Sequence, residues 1–162
     1  NKIPVEGIVY APALGKLYYG NIDDGAFVYD YNDRFVKMQK LPLKTTFGFR
    51  IIASKSHINI ETEQFLSDIK THIPNSHIFN VGSSLKFCSV AEGKTHIYPR
   101  MDSISEWDIA AGHAVLRSAG GFVIDIDTKR EVVYNTEHLK TPKFIAFLEK
   151  DKFEKINKVV KS

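Results

Sequence analysis

Residues 106–121 read Glu-Trp-Asp-Ile-Ala-Ala-Gly-His-Ala-Val-Leu-Arg-Ser-Ala-Gly-Gly. Trp107, Ala111, Ala114 and Val115 recur at helical spacing and the glycine pair supplies a stop, so the pattern predicts a helix over residues 106–119. Residues 95–98 before it, closed by Pro99, and residues 122–126 after it are short β-rich runs that predict strands. A helix held between strands is the signature of an α/β layer arrangement.

The same rhythm extends to both sides. Residues 48–54, 77–81 and 143–148 predict further strands, and residues 62–73, 83–92 and 151–161 predict helices. In residues 62–73, Phe65, Leu66, Ile69 and Ile73 line one side; residues 83–92 stop at Gly93, the usual terminator. The first forty residues differ. Residues 3–11 and 16–19, split by turn formers at 12–15, predict a hairpin, and residues 26–30 and 34–40, split by Asn32 and Asp33, predict two more strands. The expected fold is therefore α/β: antiparallel strands belonging to an N-terminal sheet over residues 1–45, then an α/β unit over residues 46–162 that carries the site.

Composition narrows the classes of function. With 162 residues, 43% hydrophobic and 25% charged, the chain has the apolar content of a folded globule and not of a disordered one. The longest aliphatic and aromatic run, residues 144–148, falls far short of the roughly 20 residues that cross a bilayer, so no transmembrane segment is expected. Net charge is +3 with the basic residues scattered, which argues against a nucleic-acid partner. One cysteine, Cys88, and no export signal among the opening residues point to a reducing, cytoplasmic location. The sequence opens on Asn1 instead of Met, and the expectation is that further sequence precedes it.

Few residues stand out for chemistry. Asp108 belongs to the first turn of its helix, with Ser103 or Ser105 as candidate N-caps. A carboxylate there either complements the helix dipole or serves as an oxygen ligand for a hard cation such as Mg²⁺. Ala110, Ala111 and Gly112 would let that helix approach a sheet or another helix closely. Gly82, Ser83 and Ser84 fall between a strand and a helix, where backbone N–H groups and hydroxyls can meet a phosphate or merely cap the helix. Lys86 and Arg100 are either surface cations or anion ligands, and His57 either an exposed histidine or a stacking partner for a ring. The sequence contains no Cys/His metal cluster, no dinucleotide fingerprint, no ATPase-type phosphate loop and no nucleophile elbow.

Taken together, these strings carry a resemblance. Residues 82–88 (Gly-Ser-Ser-Leu-Lys-Phe-Cys), 90–93 (Val-Ala-Glu-Gly), 97–100 (Ile-Tyr-Pro-Arg), 106–112 (Glu-Trp-Asp-Ile-Ala-Ala-Gly) and 119–121 (Ala-Gly-Gly) resemble the C-terminal half of the inositol monophosphatase superfamily. Within it, Ser-Ser-Leu-Lys-Phe-Cys and Tyr-Pro-Arg resemble the bacterial CysQ type, the 3'(2'),5'-bisphosphate nucleotidases. Residues 7–20 and 142–146 match family strands as well, so the likeness covers nearly the whole chain. The resemblance implies a sugar-phosphatase type of layered sandwich. It also implies Asp108 as a Mg²⁺ ligand, with Ser83, Lys86 and Arg100 on the non-reacting phosphate of 3'-phosphoadenosine 5'-phosphate and His57 against the adenine. The implied chemistry is attack of a metal-activated water on a phosphate ester.

Two departures from the family pattern qualify this. The family's other metal ligands, a Glu and an Asp-Pro-x-Asp-Gly-Thr element, precede the strand pair with which this chain begins, and neither is present; Asp24-Gly25 is no substitute. Residues 102–105 (Asp-Ser-Ile-Ser) stand where the family usually has a Gly-Pro-Thr-like stretch. The expectation is a chain that is inactive by itself and that takes a small nucleotide bisphosphate. A missing N-terminal segment, or self-association, would cover residues 1–45. Alternatives are an inositol or sugar monophosphatase and a non-catalytic nucleotide-binding or assembly module.

Overall fold

The computed structural model describes residues 2–32, 35–43, 48–54 and 59–159. Strands β1 (Glu6–Ala11), β2 (Lys16–Asn21), β3 (Gly25–Asp30) and β4 (Lys37–Lys40) form an antiparallel sheet in that order. A 3₁₀ turn at Pro12–Leu14 and the left-handed Gly15 close the β1–β2 hairpin, so that expectation is met. The second sheet has order β6-β5-β7-β9-β8, built from β5 (Phe49–Ala53), β6 (Ser76–Asn80), β7 (Ile97–Arg100), β8 (Phe122–Asp125) and β9 (Phe144–Phe147). β5 runs parallel to β6 and β7; β9 runs antiparallel to β7 and β8.

Helices α1 (Ile60–His72), α2 (Leu85–Ala91), α3 (Ala110–Ser118) and α4 (Lys150–Val159) complete two layers. The central strands β5, β7 and β9 are buried on both faces, so successive side chains serve two different cores. Ile52, Phe144 and Ala146 join Phe87, Val115 and Leu116 of α2 and α3, together with Tyr18 and Val28 of the first sheet, in one core. Ile51, Ile145 and Phe147 face the other way, onto Phe65, Leu66 and Ile69 of α1 and Ile156 of α4. Among the described residues no helix is long and apolar enough to cross a membrane.

Small residues set where α3 lies. Gly7, Gly20 and Ala26 are side by side in register across β1, β2 and β3. A Cβ on Gly7 would sit 2.6 Å from Ala111 O, and one on Gly20 2.6 Å from Val115 Cα, so the helix rests directly on strand backbone. On its other flank, a Cβ on Gly112 would meet Phe87 Cβ at 2.9 Å. The anticipated close approach is thus made twice, to the sheet and to α2.

The structure corrects several expectations. The helix foreseen over residues 106–119 is a 3₁₀ turn at Glu106–Asp108 followed by α3, because Glu106 and the residues ahead of it are bonded to a distant loop. Trp107, placed by spacing on the apolar flank, is 67% exposed. Pro99 does not close its strand but pairs with Ile145 inside β7; β5 meets β7 at Ile51 and Ile97, before the proline, so no ladder donor is lost there. β4 is shorter than residues 34–40, and the expected boundary near residue 45 lies outside the described residues.

Candidate active site

Cation and hydroxyl groups from three separate segments converge on one cavity of about 420 Å³. It is lined by Ser83, Ser84 and Lys86 around the start of α2, Tyr98 and Arg100 from β7, and Asp108 ahead of α3. The structure therefore brings together four of the five residues singled out in the sequence; His57 lies outside the described residues.

Ser83 takes a left-handed backbone (φ 62°), unusual for a residue with a side chain, which turns the chain sharply from Val81 into α2. Its carbonyl accepts a hydrogen bond from Lys86 Nζ at 2.8 Å, and its hydroxyl accepts one from Leu85 N–H at 3.4 Å. Lys86 is 5% exposed, with Nζ 5.1 Å from the centroid of the Tyr98 ring. Burial, reinforced by the neighbouring Arg100 charge, pushes its pKa down to about 8. Tyr98 is held edge-on against Phe87 and Phe144, and burial raises its hydroxyl to about 12, so it stays protonated.

Arg100 is anchored from behind. Its Nη2 lies 3.2 Å from Asp102 Oδ2, and Asp102 also accepts a hydrogen bond from Asn59 Nδ2, the residue whose Oδ1 caps α1 through Thr62 N–H at 2.8 Å. Arg100 Nε is buried without a hydrogen-bond partner, a donor whose desolvation an incoming anion would repay. Residues 102–105, marked as a departure, are thus partly accounted for: Asp102 orients Arg100, and Ser103 Oγ donates to Thr141 O at 2.7 Å.

Asp108 is exposed at the cavity edge, and Ser84 Oγ donates to its carbonyl at 3.1 Å, tying the start of α2 to the start of α3. Neither candidate cap serves its helix: Ser105 makes no capping hydrogen bond, and its hydroxyl accepts one from Lys140 Nζ at 3.0 Å. What fixes the turn is Glu106, which sequence reading overlooked. Its 6%-exposed side chain accepts from Asn135 N–H at 2.7 Å and from Thr136 N–H at 3.0 Å. Nothing in the local pattern marks a carboxylate as the anchor of a loop thirty residues away. Ser54 and Tyr98 were likewise missed as cavity walls.

The donor set tests the implied metal. Mg²⁺ is held by one or two carboxylates together with waters and substrate phosphate. Asp108 supplies one carboxylate, and among the described residues no group of three or more His, Cys, Asp or Glu is placed to hold a cation. The described residues do not by themselves make a magnesium site. What they do make is a cavity bordered by one buried cation, Lys86, and one partly buried cation, Arg100.

A layered α/β sandwich with a cavity bearing Lys86 and Arg100 at the meeting of α2, β7 and α3 is the architecture of a sugar-phosphatase type of protein. The profile of the inositol monophosphatase family matches residues 1–162, and the chain belongs to that family. It is 37% identical over 122 residues to the 3'(2'),5'-bisphosphate nucleotidase CysQ of Salmonella typhimurium, covering 75% of this chain and 46% of that protein. CysQ of Escherichia coli K12 is 34% identical over the same length. Among solved structures, CysQ of Bacteroides thetaiotaomicron superimposes with a TM-score of 0.84 at 35% identity, covering 91% of this chain and 59% of that one. The chain thus spans about half the length of the curated relatives it matches.

Proposed function

We propose that this chain forms the phosphate-recognising part of a 3'(2'),5'-bisphosphate nucleotidase acting on 3'-phosphoadenosine 5'-phosphate. The observation that carries the reading is the convergence of Ser83, Lys86, Arg100 and Asp108 on one cavity. Lys86 gives a point charge and Arg100 a fork of donors, which suits a doubly charged phosphate ester. In this role the two cations hold the phosphate that does not react, and Ser83 adds a hydroxyl. That fixes the nucleotide so that its other phosphate lies toward Asp108. Two anchors for a second phosphate favour a bisphosphate over an inositol or sugar monophosphate.

Hydrolysis needs anionic ligands beyond Asp108, and in this reading they come from polypeptide outside these 162 residues, with magnesium as the cation they would hold together. The outer face of the first sheet supports such a partner. Ile8, Tyr10 and Met38 are each more than half exposed on it, beside Tyr19, Phe27 and Tyr29 in register. The isolated chain then acts as a nucleotide-binding module without turnover. The test is co-expression with the part of a CysQ relative that this chain does not match. Release of phosphate from 3'-phosphoadenosine 5'-phosphate, abolished by Asp108→Asn, is the expected result. A stable complex that releases none would refute the enzyme reading.

A further inference from the structure

Lys86 has a property that anion binding does not use: it is a nucleophile in waiting, housed in a cavity built for phosphate. We propose that Lys86 is an acylation site for small acyl phosphates, whose phosphate group docks on Arg100 and Ser83 and presents the acyl carbon to Nζ. The inference rests on reading the cavity as a phosphate site and assigns it a second class of ligand.

The geometry favours the reaction. Nζ lies over the Tyr98 ring, with one hydrogen bond to Ser83 O at 2.8 Å, and its side chain is almost fully buried, so its position is fixed at the cavity wall. Arg100 contributes a buried Nε with no hydrogen-bond partner. In the step, the neutral amine's lone pair attacks the acyl carbonyl carbon and forms the C–N bond. The bond from that carbon to the phosphate oxygen breaks, and inorganic phosphate leaves with the electron pair. The nitrogen loses one proton to solvent or to the departing phosphate. No oxidant or metal is required. The cradle stabilises the leaving group, because the departing phosphate is the species it binds. Acylation also removes a cation and fills the cavity, so it would switch off nucleotide binding.

The experiment treats the intact chain with acetyl phosphate and follows each lysine by peptide mass spectrometry, with Lys70 and Lys129 as exposed references. A pKa near 8 leaves much more free amine at neutral pH than an ordinary lysine, partly offset by lower basicity, so Lys86 should react on the order of tenfold faster. Inorganic phosphate should slow Lys86 and leave the references unchanged, and Arg100→Gln, folded by circular dichroism, should erase the preference. Acetic anhydride, which carries no phosphate, should show a smaller preference. Lys86 reacting no faster than Lys70, while phosphate still binds by calorimetry, overturns the acylation proposal and spares the phosphate reading. Rapid acetylation that neither phosphate nor Arg100→Gln alters overturns the docked route and the phosphate reading together.

Discussion

Glu106 and Thr136 are joined twice: one carboxylate oxygen accepts both the Thr136 N–H at 3.0 Å and its hydroxyl at 2.5 Å, across thirty residues of chain. The other oxygen takes Asn135 N–H, and Asn135 has the left-handed backbone (φ 58°) that presents it. This clamp holds the turn that ends in Asp108.

Replacing Glu106 with Ala strands three donors, and each lost bond to a charged acceptor is worth about 1.5–3 kcal/mol. The expected cost is about 2 kcal/mol or more in chemical denaturation, with faster amide exchange at Asn135 and Thr136. Burial raises the Glu106 pKa, but the hydrogen bonds from Thr136 and Asn135 outweigh it and the net direction is down. Its contribution is therefore complete above about pH 5 and fades as pH falls through the lowered value. An Ala variant as stable as the parent at neutral pH contradicts the clamp.

Gly20→Ala would press a Cβ to 2.6 Å from Val115 Cα and 3.1 Å from Ala114 O, backbone atoms that cannot swing aside. Overpacking of this kind costs about 1–3 kcal/mol. Gly82→Ala meets nothing within 4 Å and serves as the control. Melting temperatures should fall for the first and hardly move for the second; equal behaviour would mean that α3 does not sit on the sheet as described.

Lys86→Met should raise stability at pH 7, by about 1–2 kcal/mol, while weakening anion binding, because burying a charged amine costs free energy that function retains. The sign follows from the lowered pKa: between about 8 and 10.5 the unfolded chain binds a proton that the folded one has released. Wild-type stability therefore rises with pH through that window, and the gap to the variant narrows. A destabilised variant with a gap constant from pH 7 to 10 would contradict the assignment.

The strands and helices with strong local patterns were legible in the sequence. Residues 65, 66 and 69 of α1 declare a face through their helical period, and the unbroken apolar run of β9 declares a strand buried on both sides, because one-sided burial leaves a period and two-sided burial a continuous run. The break between the Glu106–Asp108 turn and α3 was not legible, since it depends on Asn135 and Thr136, which no local window contains. Trp107 matched the helical period yet points to solvent. At the site, residue types and family likeness indicated Ser83, Lys86, Arg100 and Asp108. The packing that depresses Lys86 and the Asn59–Asp102–Arg100 relay are tertiary facts that no spacing encodes.

Calorimetric titration of 3'-phosphoadenosine 5'-phosphate into the chain in excess EDTA, compared with Arg100→Gln, bears most directly on the cavity as a metal-independent phosphate cradle. The account predicts saturable binding by the wild type, weakened at least about tenfold in the variant through loss of charge-assisted hydrogen bonds. Wild-type chain that binds nothing without a divalent cation, or a variant that binds equally well, would contradict it.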